Sequence, residues 1–359
     1  MTRKQRTQLI VPLIAVLLGF IVGGVIIVLT GKSPWGMLLA LARTLTGFDF
    51  SGRGGFNPRY VGEFILQALP ITLTGLAVAF AFRTGLFNIG AEGQLMVGSL
   101  SAVAVALLVP APPVIHPILC LLAAMAGGAL WAAVPGLLKA RFNVHEVVVS
   151  IMMNYTALYF VNWSLLQFGS TDRVKTPDFP PSATLKSEFL TNLTNGSRLN
   201  WGIIVVALAV VVFWFVIEKT TFGYRLRAVG FNKEAARYAG MRVERNIVLS
   251  MMISGTFAAL GGAVITLGTF NFGRVLPSFE GYGMDGIAVA LVGGNAAVGV
   301  FLSGLLFGML KAAQPLMQSQ GIPKDISSII QASIVLFVAM RLGIEALLDL
   351  TVGKRRAVK

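Results

Sequence analysis

Charged residues are scarce in this 359-residue chain, at 12% of the total, whereas soluble domains carry about 25%. Cysteine is nearly absent too, with Cys120 as the single example, which excludes a disulfide within the chain. Hydrophobic residues make up 55% of the sequence, more than a soluble domain can hide from water. The composition excludes a disordered chain, a disulfide scaffold and an ordinary soluble enzyme, and it indicates an all-α polytopic membrane protein.

Recognisable catalytic and nucleotide-binding motifs are also missing. The nearest approach to a Walker A loop is Gly31-Lys32-Ser33, but Ile26 stands where the first glycine is required. The only histidines are His116 and His145, and no metal-binding or nucleophile motif surrounds them. The chain is therefore expected to carry no catalytic residue, no metal and no motor of its own.

Ten apolar stretches could cross a bilayer core of about 30 Å, although two of them are short. They are 9–30, 63–82, 86–108, 114–138, 146–168, 201–217, 247–270, 282–294, 297–313 and 326–348. A cleaved signal peptide is the alternative for 9–30, but that run is longer than a signal-peptide core. One long helix over 282–313 would give nine spans and leave the basic C-terminal tail outside, so the positive-inside rule favours ten spans with both termini cytoplasmic.

The net charge of +14 follows the same topology. In a soluble protein such basicity would indicate a nucleic-acid partner, whereas in a membrane protein it marks cytoplasmic loops. The segment 218–246 carries seven basic residues and is predicted to be cytoplasmic, while 168–200 has balanced charge and is predicted to be an extracytoplasmic loop. Orientation explains the surplus, so no nucleic-acid partner is expected.

Glu92 is the one acid that this topology places well inside a span. An ionisable group at that depth is by default a functional hypothesis. Its neighbours Gly90 and Gly93 suggest a helix break, so Glu92 is interpreted either as a structural lock, satisfied by backbone groups or by Arg83, or as a contact on a cargo pathway. Asp285 begins a similar glycine-containing run, and in the ten-span topology the two runs cross the membrane in opposite directions. Such a pair predicts an inverted repeat with short broken helices.

Polar amides inside other spans are weaker candidates for the same pathway. Such groups commonly hydrogen-bond a neighbouring helix, and they can also bind hydroxyls or base edges of a cargo. The complete set of pathway candidates is Asn88, Glu92, Gln94, Asn154, Asn271 and Asp285, with Met152, Met153 and Tyr155 beside Asn154.

The segment 223–240 is predicted to contain a short surface helix, with Asn232 as its N-cap and Gly240 as its C-cap. Charge alone would make it an ordinary positively charged loop. It also contains the string Glu234-Ala235-Ala236-x-x-x-Gly240, which resembles the coupling-loop motif of ABC importer permeases, where a short helix docks on an ATPase.

Two further runs, 82–94 and 145–155, resemble the sugar, nucleoside and branched-chain amino-acid group of these permeases. Within that group the chain is most similar to the nucleoside type, which works with a basic-membrane-protein-like binding lipoprotein. The resemblance extends over nearly the whole chain from about residue 60. One departure is that Ser250 stands where the longer motif has isoleucine, with no Leu-Pro after it; this favours the type II importer fold.

The resemblance implies a bacterial cell-membrane subunit that forms half of a translocation pathway. Its partners would be an ATPase that binds ATP and Mg, a second related permease subunit and the binding lipoprotein, with no cofactor on this chain. A simple-sugar permease is the leading alternative, and an ion-coupled secondary transporter using Glu92 or Asp285 is the rival from another class. The residues expected to couple to the ATPase are Gly223, Arg225, Arg227, Gly230, Asn232, Glu234, Ala235, Ala236 and Gly240.

Overall fold

A computed structural model describes residues 3–50, 55–169 and 174–340, with side chains from Pro12 onward. Within these ranges the all-α prediction is confirmed, since the chain forms helices, loops and three isolated bridges. The helices are α1 (Arg3–Leu29), α2 (Pro34–Thr46), α3 (Arg59–Arg83), α4 (Ala91–Leu108), α5 (Ile115–Phe142), α6 (Glu146–Leu166), α7 (Glu188–Leu193), α8 (Gly202–Trp214), α9 (Thr221–Phe231), α10 (Lys233–Tyr238), α11 (Val243–Val264), α12 (Tyr282–Val292), α13 (Ala297–Ser319) and α14 (Asp325–Ala339). π-helical turns extend α8 over Phe215–Lys219 and α11 over Ile265–Phe270.

Seven helices in the described ranges are long and apolar enough to cross a membrane. They are α1, α3, α4, α5, α13, and α8 and α11 with their π-helical extensions. The other three predicted spans contain α6, α12 and α14, of which α12 and α14 have 11 and 15 residues. The chain is a multi-pass membrane protein, and ten crossings remain a prediction.

Several predicted boundaries differ from those of the helices, most by about four residues, and the larger differences have a local cause. The 86–108 stretch becomes helical at Ala91, because the preceding residues 84–90 form the α3–α4 turn with Gly85 in the left-handed region at φ +72°. The 297–313 stretch continues as α13 to Ser319. Of the 326–348 stretch, 341–348 lie outside the described residues.

The amphipathic helix α2 lies between the first two predicted spans and was missed. Ser33 caps it by accepting a hydrogen bond from Trp35 N–H at 3.3 Å, Pro34 is its first residue and Gly47 follows its last. These are ordinary helix start and stop signals. Ser33, part of the apparent nucleotide-binding motif, therefore has a structural role.

Helix α3 is the centre of the bundle, and every residue from Ile71 to Ala81 is buried. It packs mainly against α11, α12 and α13. Its C-terminal end lies beside segment 218–246, which defines the basic side of the bundle. Helices α1 and α14 pack antiparallel, with Gly19 against Ile334 and Gly23 against Ile330, so the start of α1 and the end of α14 point to the same side.

Two helices begin inside the bundle rather than at its surface. Near the start of α4, Asn88 donates to Ser254, which donates to the carbonyl of Ala77 in the C-terminal half of α3. Helix α12 begins close by, where Thr74 Oγ1 donates to the carbonyl of Tyr282 at 2.8 Å. From this shared level α12 runs toward the basic side and α4 runs away from it. The N-termini of two oppositely directed helices, of which α12 is short, therefore meet inside the protein, as in an inverted repeat.

Candidate functional site

Glu92 lies in the first turn of α4, 3% exposed, and faces the N-terminus of α12. Its Oε1 accepts hydrogen bonds from the backbone N–H groups of Glu280 at 3.1 Å and Gly281 at 3.0 Å, and its Oε2 accepts one from Gly283 N–H. The first N–H groups of a helix have no partner within that helix, and the helix dipole favours a negative group there. Glu92 therefore caps a helix other than its own.

This geometry agrees with the structural-lock interpretation of Glu92. Backbone groups satisfy the carboxyl group, and Arg83 is directed elsewhere, to Glu218. The two helix ends also approach too closely for a side chain, because a Cβ on Gly283 would collide with the backbone nitrogen of Glu92. The contact between α4 and α12 thus depends on one acid and one glycine.

Three of the predicted amides surround this contact. Asn88 Nδ2 donates to Gln94 Oε1 at 2.8 Å, and Gln94 Nε2 donates back to Asn88 Oδ1 at 3.0 Å. Asn154 of α6 accepts from Gly93 N–H at 2.9 Å and donates to a carbonyl of the α3–α4 turn at 3.0 Å. All three amides are buried and hydrogen-bonded to protein, so in this structure they fix the start of α4.

Asn271 lies apart from this cluster. It ends the π-helical turn of α11 and donates to the carbonyl of Phe179 at 3.4 Å, in the 168–200 region. Tyr155 is about half exposed and contacts the edge of the Phe279 ring at 5.1 Å between centroids. Among the described residues neither side chain hydrogen-bonds the amides around Glu92, so the predicted pathway candidates lie in two places.

Asp285, the remaining candidate, is paired with a residue that the sequence analysis missed. Its Oδ2 accepts from Lys311 Nζ at 3.2 Å, and that ammonium nitrogen lies 3.8 Å from the centroid of the Tyr282 ring. Lys311 lies near the end of the predicted 297–313 span, and a lysine at the end of a membrane span is common. Because α13 runs two turns further, Lys311 lies well inside the helix, where an ionisable group is a functional signal.

The predicted surface helix over 223–240 is in fact two helices, α9 and α10, separated at Asn232. The predicted N-cap is confirmed, since Asn232 Oδ1 accepts from Ala235 N–H at 3.0 Å. At the other end Ala239 is the cap, and Gly240 follows at φ +77°. Hydrogen bonds from Met241 N–H to the Ala236 carbonyl and from Gly240 N–H to the Arg237 carbonyl form a Schellman motif, so α10 has defined ends although it is short.

Helix α9 packs directly against the α3–α4 turn. A Cβ on Gly230 would collide with the carbonyl oxygen of Arg83 and with the backbone at Gly85, so the two backbones are in direct contact. Arg83 and Arg227 both bond the carboxylate of Glu218, an acid that the sequence analysis left without a role. At the start of α9, Gly223 packs in the same way on the backbone that ends the α8 extension.

The surface of α9 and α10 carries exposed aromatic and charged side chains. Phe231 is 91% and Tyr238 98% exposed, and Arg225 forms no ion pair within the described ranges. Arg237 bonds both Glu244 and Glu234, and the hydrogen bond to Glu244, with the negative charge of Glu234, raises the pKa of Arg237. Ala235 faces solvent whereas Ala236 is buried. Exposed aromatics of this size commonly mark an interaction surface.

The Asn232 cap yields a direct prediction. Asn232→Ala should destabilise α10 by about 1 kcal/mol, because the Ala235 N–H loses its acceptor, whereas Asn232→Asp should retain the helix. Hydrogen exchange of the α10 amides in the purified protein measures the difference. Equal protection in the Ala and Asp variants would contradict the cap.

The comparisons with known proteins agree with this architecture. The family described as "Branched-chain amino acid transport system / permease component" matches residues 60–339, and the chain belongs to that family. Residues 60–339 include the α3–α4 turn, both helix N-termini at Glu92 and all of α9 and α10.

Three relatives show the type of permease. The chain is 49% identical to the guanosine ABC transporter permease protein NupP of Bacillus subtilis, over 94% of each chain. It is 35% identical to the nucleoside ABC transporter permease protein NupB of Lactococcus lactis, over 100% of this chain and 97% of NupB. It is also 35% identical to the glucose ABC transporter permease protein TsgB13 of Haloferax volcanii, over 91% of this chain and 86% of TsgB13. The chain is an ABC-type permease, a transport component, and this disfavours an ion-coupled carrier.

Proposed function

We propose that this chain forms half of the translocation pathway of an ATP-driven importer of nucleosides in a bacterial cell membrane. The observation that carries the cargo assignment is the 49% identity to a guanosine permease over 94% of both chains, reinforced by a second nucleoside permease at 35%. Uptake is driven from outside the chain, by ATP and Mg bound on a partner ATPase.

The coupling surface of this importer is α9 with α10. Its exposed Phe231 and Tyr238 supply apolar area for docking, and Arg225 supplies an unpaired positive charge. Behind that surface, Gly230 and the bridge through Glu218 connect α9 to the α3–α4 turn. A displacement of α9 by the ATPase is therefore passed to the turn from which α4 begins.

A second related permease subunit completes the pathway, and a binding lipoprotein delivers cargo to the side opposite the basic side. The proposed arrangement is type II, with ten spans and both termini in the cytoplasm. The shared direction of the start of α1 and the end of α14 supports this topology. The abundance of basic residues in 218–246 supports a cytoplasmic position for the basic side.

A simple sugar is the second candidate cargo, because the relative TsgB13 is named a glucose permease at 35% identity. A nucleoside and a sugar share ring hydroxyls and differ in the base. Measuring uptake of both cargo classes therefore distinguishes a nucleoside permease from a sugar permease.

The proposed function is tested with the chain expressed together with the ATPase, permease and binding protein encoded beside it. A tag on this chain should retain an ATPase with a Walker A sequence, and membrane vesicles should take up labelled guanosine and uridine when ATP is supplied on the ATPase side. An ATPase variant with its Walker A lysine replaced is the control. Loss of ribose or glucose uptake with unchanged nucleoside uptake in a deletion strain would favour the sugar alternative. Failure to retain any ATPase would contradict the importer.

A further inference from the structure

The ion pair between Asp285 and Lys311 lies inside the bundle yet remains partly open. Asp285 is in the first turn of α12, and Lys311 projects from the interior of α13. Their side chains are 21% and 23% exposed, in contrast to Glu92 at 3%. Charged groups at membrane depth face the bundle interior or a water-filled cavity rather than hydrocarbon. The open side of this pair therefore faces a polar space.

The pair also has unused hydrogen-bonding capacity. The bond of 3.2 Å from Lys311 Nζ to Asp285 Oδ2 is the one hydrogen bond that either side chain makes to described residues. An ammonium group has three donors, and a carboxylate has about four acceptor positions. Glu92, by comparison, receives three backbone N–H groups. Asp285 and Lys311 can thus bind a polar molecule without breaking their own bond.

An aromatic ring stands beside the pair. Lys311 Nζ lies 3.8 Å from the centroid of the Tyr282 ring. Tyr282 also lines a small cavity with Gln67, Arg198 and Phe270 that is partly open to solvent. Arg198 and Phe270 lie toward the end of the bundle opposite the basic side, so the cavity leads from that end down to Tyr282. The carboxylate and the ammonium thus lie beside an aromatic ring that itself lines the cavity. Such groups make up a typical set for a hydroxyl-bearing heterocyclic ligand.

We infer that Asp285, Lys311 and Tyr282 form a cargo-binding site for the ribose hydroxyls and base of a nucleoside. This inference rests on the proposed function and assigns the contact within it. The Asp285 carboxylate accepts hydrogen bonds from the adjacent 2′- and 3′-hydroxyls, and Lys311 donates to a ribose oxygen. Tyr282 packs against the apolar face of the base.

The test measures uptake kinetics of the complete importer in vesicles, with uridine and 2′,3′-dideoxyuridine as cargo. Asp285→Asn is expected to raise the KM for uridine about tenfold, because a charged acceptor of hydroxyl groups inside the bundle is lost, with kcat changed less than about twofold. The KM for dideoxyuridine should stay the same, so the variant loses the preference for the hydroxyl-bearing nucleoside. Asp178→Asn is the matched control, since Asp178 forms an exposed ion pair with Lys175.

A purely structural ion pair gives different results. The exchange Asp285→Lys with Lys311→Asp restores the pair but moves the carboxylate, so it should not restore uridine uptake; full restoration would overturn the site. Asp285→Asn behaving like Asp178→Asn would overturn it as well. Co-purification with the ATPase monitors assembly, and loss of assembly in both Asp285→Asn and the neutral pair Asp285→Asn with Lys311→Met would assign the pair to folding and overturn the site.

The experiment distinguishes failure of the proposed function from failure of the ribose contact alone. If the wild-type complex takes up no nucleoside, this result contradicts both the cargo assignment and the ribose contact. If the wild type takes up uridine and the Asp285 variant keeps the wild-type preference between the two nucleosides, the ribose contact alone falls.

Discussion

Glu92→Ala is expected to abolish uptake and to lower the thermal stability of the purified permease. The substitution leaves the N–H groups of Glu280, Gly281 and Gly283 without an acceptor at a buried helix end. Unsatisfied buried donors of this kind cost about 1 to 3 kcal/mol each, so the total loss is on the order of 3 to 5 kcal/mol if local water satisfies some of them. A thermal unfolding curve in detergent and nucleoside uptake in vesicles measure the two effects.

Glu92→Gln tests the hydrogen bonds of the cap separately from side-chain packing, because it keeps the shape of the side chain. A glutamine oxygen can replace Oε1 for Glu280 and Gly281, but the amide nitrogen would then face the Gly283 N–H, donor against donor. Glu92→Gln should therefore also have lower thermal stability and lower uptake than the wild type. Glu188→Gln, at an exposed acid in α7, is the matched control. An Ala variant with wild-type melting temperature and uptake would show that the cap does not hold α12.

Gly230→Ala is expected to uncouple ATP hydrolysis from uptake. The added Cβ collides with the backbone of Arg83 and Gly85, so α9 must move away from the α3–α4 turn. Overpacking of this kind costs about 1 to 3 kcal/mol, which is enough to separate two packed elements without unfolding the chain. The complex should assemble and hydrolyse ATP, while uptake per ATP falls at least about tenfold, the change that 1.4 kcal/mol of lost coupling produces.

Gly55→Ala provides the control for this experiment, since the same Cβ added there meets nothing within 4 Å. The ratio of labelled nucleoside taken up to phosphate released, measured in the same vesicles, is the decisive quantity. A wild-type ratio in Gly230→Ala would remove the contact between α9 and the α3–α4 turn from the coupling route.

Much of the architecture could be predicted from the sequence because it depends on local patterns. Apolar runs of about 20 residues predict membrane helices, and the predicted division between 282–294 and 297–313 coincides with the break between α12 and α13. The cap at Asn232 was equally local, since the acceptor and its N–H are three residues apart. Helix α2 had comparable signals at Ser33, Pro34 and Gly47, and its amphipathic pattern, too short for a span, was overlooked.

The partners of the polar groups could not be predicted, because they depend on packing between distant segments. Glu92 is satisfied by backbone nearly 190 residues away, and no side chain in the sequence marks a backbone donor. The beginning of α4 was predicted too early because the run after Gly85 is apolar, whereas left-handed backbone and the Asn88 side chain hold it out of a helix. Lys311 was missed because its depth depends on where α13 ends.

The meeting of α4 and α12 at Glu92 also limits how the protein can move. Because one carboxyl group joins the ends of both helices, and Gly283 lets their backbones touch, separating the helices would expose three buried donors at once. The two helices should therefore shift as a single rigid unit. The bending that opens one side and closes the other then falls on the connections that lead into that unit, the α3–α4 turn before α4 and the loop 271–279 before α12.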